Sequence, residues 1–159
     1  MSELIRLIYA SRAEFEPADP IQGVEPNVGR ILMQSRRNNK RGGIGGVLYF
    51  GDRHFFQVLE GERDAVNETY RRISGDPRHR QLTILSVKKA GQRLFEDWSM
   101  KYVPAEQSVR EFLAARDYLR FVPLQFSESE AEDLARLFHR QQTGQGNDRG
   151  FSWRRLLKF

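Results

Sequence analysis

At 159 residues the chain is long enough to bury the core of one ordinary domain with an appendage, without disulfide or metal staples. It has no cysteine, and its three histidines, His54, His79 and His139, form no i, i+4 pair, so disulfides, thiolate sites and cysteine-adduct chemistry are excluded and no metal is expected. The net charge of +5 and the sequence pI of about 9.8 arise largely from clusters at Arg36–Arg41, Arg71–Arg80 and Arg154–Lys158, which suit a solvated basic surface or contact with nucleic acid, an acidic partner or a phosphate.

The start, Met1-Ser2-Glu3, lacks the regions of a signal peptide, and no run reaches the roughly 18 apolar residues of a membrane span. A soluble, cytoplasmic protein with no membrane contact is therefore expected. Leu4 to Ala10 reads as a strand, and Phe15 to Pro26, with three prolines and a glycine, as a loop. Asn27 is an N-cap candidate for a first helix carrying Val28, Ile31, Leu32 and Ser35 at helical spacing, with Asn38 and Asn39 at its C-terminal end. Ile44 to Phe50 and His54 to Glu60 are apolar, aromatic-rich strands joined by Gly51-Asp52-Arg53, the signature of a hairpin with a three-residue loop.

Asp64 can cap a second helix with Val66, Thr69, Tyr70 and Ile73 on one stripe, ending before Gly75-Asp76-Pro77. Leu82 to Lys88 gives a fourth strand and Ser99 to Val103 a short fifth. The order βαββαββ predicts an α+β fold, a ferredoxin-like mixed sheet with both helices on one face. Two C-terminal helices follow, at about Ser108 to Leu119 and Ser127 to Gln141. In the second, Ser127 and Glu130 form a capping box, and Ala131, Leu134, Leu137 and Phe138 an apolar face. The expected units are residues 1–104, a helical extension at 105–142, and a flexible basic tail at 143–159 whose end, FSWRRLLKF, reads as a docking segment or a frayed terminus.

Several polar residues lie where a plain core would not put them. Strand alternation sets Phe55, Gln57 and Leu59 on one face and His54, Phe56, Val58 and Glu60 on the other, so Gln57 sits between apolar neighbours. An unpaired buried amide costs about 1 to 3 kcal/mol, so a partner is required: Tyr9 from the first strand, backbone, water or a ligand. Asn38 and Asn39 suit a helix end, or the carbonyl and imide groups of a heterocycle such as isoalloxazine. Arg72 and Asp76 suit an i, i+4 ion pair, or a ligand's hydroxyls and phosphate.

Together these residues resemble the BLUF family of flavin-binding blue-light sensors over about residues 3 to 104. The resemblance rests on LIYAS with Tyr9, SRRNNKRGGIGGVLYF with Asn38 and Asn39, HFFQVLEG with Gln57, DPRH with Asp76 and His79, and FEDWSM with Trp98 and Met100. It implies a non-enzymatic photoreceptor holding a flavin, FAD or FMN, between the two helices. Asn38 and Asn39 would bind the ring's polar edge and Arg72 and Asp76 the ribityl and phosphate. Ile31, Phe55 and Ile73 would be walls, with His79 near the ring.

The resemblance also makes Tyr9 the electron and proton donor to the excited flavin and Gln57 the proton relay, with a changed Gln57 hydrogen-bond arrangement persisting as a reversible red shift. Trp98 and Met100 would transmit the signal, either one occupying the slot beside Gln57, although a Trp and a Met near a strand are also ordinary core. Two features depart from the family pattern: a longer loop from Glu14 to Pro26, which bears on where the first helix starts, and Gly45 in place of the threonine of Ile-Thr-Gly, which is expected to alter recovery kinetics rather than abolish binding. The implied partner is a downstream signalling protein in trans, a cyclic-dinucleotide phosphodiesterase or a transcription regulator. Homo-oligomerisation is also expected, because the second sheet face needs covering by the tail or by another subunit. The alternative function is a nucleic-acid-binding module, with Tyr49, Phe50, Phe55 and Phe56 on a ferredoxin-like sheet.

Overall fold

β1 (Leu4–Ala13) lies between β4 (His79–Lys89) and β3 (His54–Glu62), β3 pairs with β2 (Gly45–Gly51), and β5 (Lys101–Tyr102) completes the order β4-β1-β3-β2-β5. All neighbours are antiparallel except β2 and β5. The structure is a computed structural model describing residues 3–21, 24–96, 100–103 and 105–145; Trp98, Ser99 and the FSWRRLLKF end lie outside the described residues. The predicted ferredoxin-like βαββαββ order holds. Helices α1 (Pro26–Gly42) and α2 (Arg63–Ser74) pack on one sheet face, and α3 (Glu106–Ala114) and α4 (Glu128–Gln145) on the other.

The strand alternation read from sequence divides two cores. Tyr9, Leu48, Phe55 and Leu59 face α1 and α2, whereas Tyr49, Phe56 and Val58 face the C-terminal helices. There Tyr49 stacks on Phe138 with centroids 5.6 Å apart, and Phe56 meets Phe138 edge-on at 5.9 Å. The tail thus covers the second sheet face. It also buries Tyr49 and Phe56, two of the aromatics that an RNA-recognition platform would have to expose.

Boundaries differ from the expectations in instructive ways. The N-cap of α1 is Glu25, not Asn27: its carboxylate accepts from the Asn27 and Val28 backbone N–H groups at 2.9 and 3.1 Å, and Pro26 takes the first helical position. The helix continues to Gly42, so Asn38 and Asn39 lie in its last turns rather than at a cap. Gly43, at φ +67°, supplies the left-handed cap that a side chain disfavours. The hairpin loop has two residues, Asp52 and Arg53, both at positive φ, because Gly51 pairs with His54 in the ladder.

At α2 the N-cap position is Glu62, and Asp64 lies inside the first turn, where its charge still complements the helix dipole. β1 and β4 are longer than expected, and among the described residues β5 is only two long. α3 ends at Ala114, followed by Asp117 at φ +62°, and α4 passes Gln141 to Gln145, into the stretch expected to be a linker. The capping box is present, with Ser127 N–H donating to Glu130 at 2.9 Å and Glu130 N–H to Ser127 Oγ at 3.1 Å.

One glycine in β2 is fixed by close approach. A Cβ on Gly46 would stand 1.8 Å from the Val58 carbonyl oxygen and 3.2 Å from Met100 Cε, so β2 can lie against β3 and Met100 only with glycine there.

Candidate functional site

Between α1, α2 and the sheet lies a cleft. Its floor is set by register: Tyr9 on β1 and Leu48 on β2 both pair with Gln57 on β3, so the three side chains form one row across the central strands. One wall is a single stripe of α1, Ile31, Gln34, Ser35, Asn38 and Asn39, at offsets of three and four. The other is the matching stripe of α2, Thr69, Arg72 and Ile73, continued by Asp76. Arg78 and His79 close the end where β4 begins.

All nine residues expected to contact a ligand, Ile31, Asn38, Asn39, Phe55, Gln57, Arg72, Ile73, Asp76 and His79, line this cleft together with Tyr9. Met100 is buried behind Gln57; Trp98 lies outside the described residues. Gln34, Ser35, Leu48, Thr69 and Arg78 were not anticipated. Helical period from Asn38 and Ile73 would have found Gln34, Ser35 and Thr69, and strand pairing with Gln57 would have found Leu48. Arg78 carries no such signal, because its role depends on the distance between two helices.

Tyr9 and Gln57 are 3 % and 2 % exposed, and the Tyr9 hydroxyl donates to Gln57 Oε1. Gln57 Nε2 in turn donates to Met100 Sδ at 3.3 Å. This makes a directed chain from phenol through amide to thioether. Burial pushes the Tyr9 phenol well above its ordinary value of 10, with Tyr70 and Asp76 adding in the same direction, so it remains a protonated donor. Tyr70 meets the Tyr9 ring edge-on at 5.4 Å.

His79 is held at both ring nitrogens. Nε2 lies 2.8 Å from the Ile73 carbonyl oxygen, which can only accept, so Nε2 carries the proton. In the neutral ring Nδ1 then accepts from Ser11 Oγ at 2.8 Å. This fixes the imidazole edge-on to Phe55, at 6.0 Å, on the rim of the cleft.

At the mouth the i, i+4 ion pair, one of the two readings of Arg72 and Asp76, gives way to another pairing. Asp76 engages Arg78, whose Nε lies 2.9 and 3.0 Å from the two carboxylate oxygens and whose Nη2 reaches Gln34 Oε1 on α1 at 2.7 Å. This hydrogen bonding holds the Asp76 carboxyl below its ordinary value of 3.8. Two guanidinium groups against one carboxylate leave the mouth net positive.

The arrangement fits a flavin. Ile31, Leu48, Phe55 and Ile73 offer apolar walls for a flat ring, and Asn38, Asn39 and Gln57 offer amide donors and acceptors for its polar edge. The cationic mouth suits a ribityl phosphate. Among the described residues Gln57 Nε2 donates to a weak sulfur acceptor, so a ring nitrogen or carbonyl would be a better partner.

The family model described as "BLUF: Sensors of blue-light using FAD" matches residues 4–101. The blue light- and temperature-regulated antirepressor BluF of Escherichia coli (strain K12) is 35% identical over 92 residues, 58% of this chain and 21% of that protein. The chain thus spans about a fifth of that relative. The ground state of BlsA superposes with a TM-score of 0.77 at 31% identity, covering 86% of this chain and 87% of that one. The dark-state BLUF protein BlrB superposes with 0.71 at 33%, covering 89% and 98%.

Proposed function

This chain belongs to the BLUF family of flavin-binding blue-light sensors, and we propose that light acts in it through the Tyr9–Gln57–Met100 chain and leaves it through the C-terminal helices. A bound flavin, FAD or FMN, would supply blue-light absorption and an excited state able to take an electron and a proton from a phenol. Everything else falls to the protein. Tyr9 gives up the electron and its hydroxyl proton, and Gln57, which accepts that hydrogen bond, carries the proton onward.

The observation that carries this reading is the direction of the hydrogen bonds. Gln57 faces a donor at its oxygen and an acceptor at its nitrogen, so reorganising the amide exchanges donor for acceptor toward Tyr9 and toward Met100 together. Asn38 and Asn39 hold the ring edge, Ile31, Phe55 and Ile73 its faces, Arg72 and Asp76 the ribityl and phosphate, and His79 the rim. Met100 lies one residue before β5, which pairs with β2 ahead of α3. A change at its sulfur therefore reaches the tail over a short path.

The chain acts as a sensor rather than an enzyme, on a cytoplasmic signalling protein in trans. The name of the Escherichia coli relative, an antirepressor, favours a transcription regulator over a cyclic-dinucleotide phosphodiesterase as that partner. No helix among the described residues is long and apolar enough to cross a membrane. Self-association would use a surface other than the sheet face, which the tail covers.

Absorption spectra of the FAD-loaded protein before, during and after blue illumination test the relay. A reversible red shift in wild type, absent in Tyr9→Phe and Gln57→Leu, is expected; an unchanged shift in both variants would overturn the assigned roles.

A further inference from the structure

The buried ions on the tail side of the sheet take no part in the cleft. Arg6 on β1, Glu60 on β3 and Glu132 on α4 are 7 %, 0 % and 4 % exposed. Arg6 donates from Nη1 to Glu60 Oε2 and from Nε to Glu132 Oε2, each at 3.2 Å. Glu60 also accepts the backbone N–H groups of Leu94, at 3.0 Å, and Phe95, at 2.8 Å, while Glu132 accepts the Ser86 hydroxyl at 2.9 Å. Side chains from β1, β3, β4 and α4 and the segment leading to Met100 thus meet in one cluster.

We infer that Arg6, Glu60 and Glu132 form the joint by which movement of the segment before Met100 is converted into release of α4; this rests on the light-sensor reading above. Glu60 follows Gln57 by three residues on the same strand and points to the opposite face, so it links the cleft side to the tail side through a rigid element. The amides it holds, at Leu94 and Phe95, belong to the chain that continues to Met100, the residue hydrogen-bonded to Gln57.

One guanidinium is divided between two carboxylates. Both of its bonds, at 3.2 Å, are longer than the roughly 2.7 to 2.9 Å of a well-formed charge-assisted bond, and it contacts each partner through a single nitrogen. If the 94–95 segment withdraws its two amides, Glu60 keeps a fully buried charge with two donors fewer. Arg6 then compensates by turning its fork onto Glu60, and Glu132 is left with Ser86. A buried carboxylate that loses its cation destabilises whatever holds it there, in this case α4.

The same segment also touches α4 at Phe95, whose ring meets His139 edge-on at 6.1 Å, so the ionic joint has an apolar companion. Coupling of this kind is reciprocal: a partner that draws α4 away turns Arg6 toward Glu60 and loosens Glu60's hold on the Leu94 and Phe95 amides.

The test is light-minus-dark hydrogen exchange on the FAD-loaded full chain, with the flavin red shift recorded on the same samples. Two variants are compared with wild type: Glu132→Gln, which keeps an oxygen for Arg6 and Ser86 but removes the charge, and Arg6→Met/Glu60→Gln/Glu132→Leu, which neutralises the cluster. In wild type, illumination should raise exchange both at 94–95 and in α4. In both variants the red shift and the 94–95 difference should persist while the α4 difference falls about threefold or more, the scale of coupling carried by one polar network. A wild-type α4 difference in both variants, or none in wild type despite a red shift, overturns the joint. Absence of the red shift in wild type would instead sink the sensor reading on which it rests.

Discussion

Tyr9 and Gln57 stand directly opposite each other on β1 and β3, and the phenol donates to the amide oxygen inside a core that excludes water. The amide's other end donates to Met100, so its orientation is set by a donor on one side and an acceptor on the other.

Replacing Met100 with leucine tests that setting. Volume is nearly conserved, so the fold should lose less than about 1.5 kcal/mol, but Gln57 Nε2 loses its sulfur acceptor. The dark arrangement is then destabilised relative to the lit one by about 0.5 to 1 kcal/mol. Dark recovery should slow roughly two- to fivefold, read as the return of the flavin absorption after illumination; recovery at the wild-type rate would separate Met100 from the switch.

Alkaline stability follows from the tyrosines. Tyr9, Tyr49, Tyr70 and Tyr102 are all shifted upward from 10, chiefly by burial. A raised folded value means that the stability is fully present below the unfolded value of 10 and is lost as the pH climbs beyond it. Urea midpoints should therefore decline above about pH 10. Tyr9→Phe should decline less steeply, since one such group has been removed.

The Asp76–Arg78 clasp should open in acid. Its carboxyl is lowered from 3.8, first by the side-chain hydrogen bond from Arg78, so its contribution is present above that value and lost as the pH falls through the lower folded one. Thermal melts of wild type and Asp76→Asn should differ near neutrality and converge below about pH 4. Arg78→Ala should weaken FMN and FAD more than riboflavin, by about tenfold for the loss of one charge-assisted contact worth 1.5 kcal/mol or so, measured by quenching of flavin fluorescence.

Phe138→Ala tests the tail. The ring is fully buried against Tyr49 and Phe56, and its loss should cost about 3 to 5 kcal/mol. Denaturant unfolding measures this. The red shift should survive wherever the variant is folded, because Phe138 lies on the sheet face away from the cleft.

The sequence by itself determined the element order and the faces of its strands and helices. Period-two alternation placed Gln57 opposite Phe56, and period 3.6 placed Ile31 with Ser35 and Thr69 with Ile73, because a side chain's direction along one element is a local property of backbone geometry. It also determined the capping box of α4, since Ser127 and Glu130 bond to each other reciprocally within one helical turn. Caps and turns depending on competition between nearby residues were less legible. Glu25 displaced Asn27 because its longer side chain reaches two helical N–H groups, and Gly43 rather than Asn39 ended α1 because the left-handed cap favours glycine.

Only the tertiary structure decided which groups meet across elements. Arg78 takes the place beside Asp76 that an Arg72 ion pair would fill and reaches Gln34, Met100 comes to lie against Gln57, and Arg6 is shared between Glu60 and Glu132, 54 and 126 residues away in the chain. Each of these depends on the spacing and tilt of packed elements, to which many residues contribute a little and no short motif contributes enough. The tail's place on the sheet is decided in the same way: its apolar stripe was readable, but its seat on Tyr49 and Phe56 exists only once β2 and β3 have paired and turned those rings to one side.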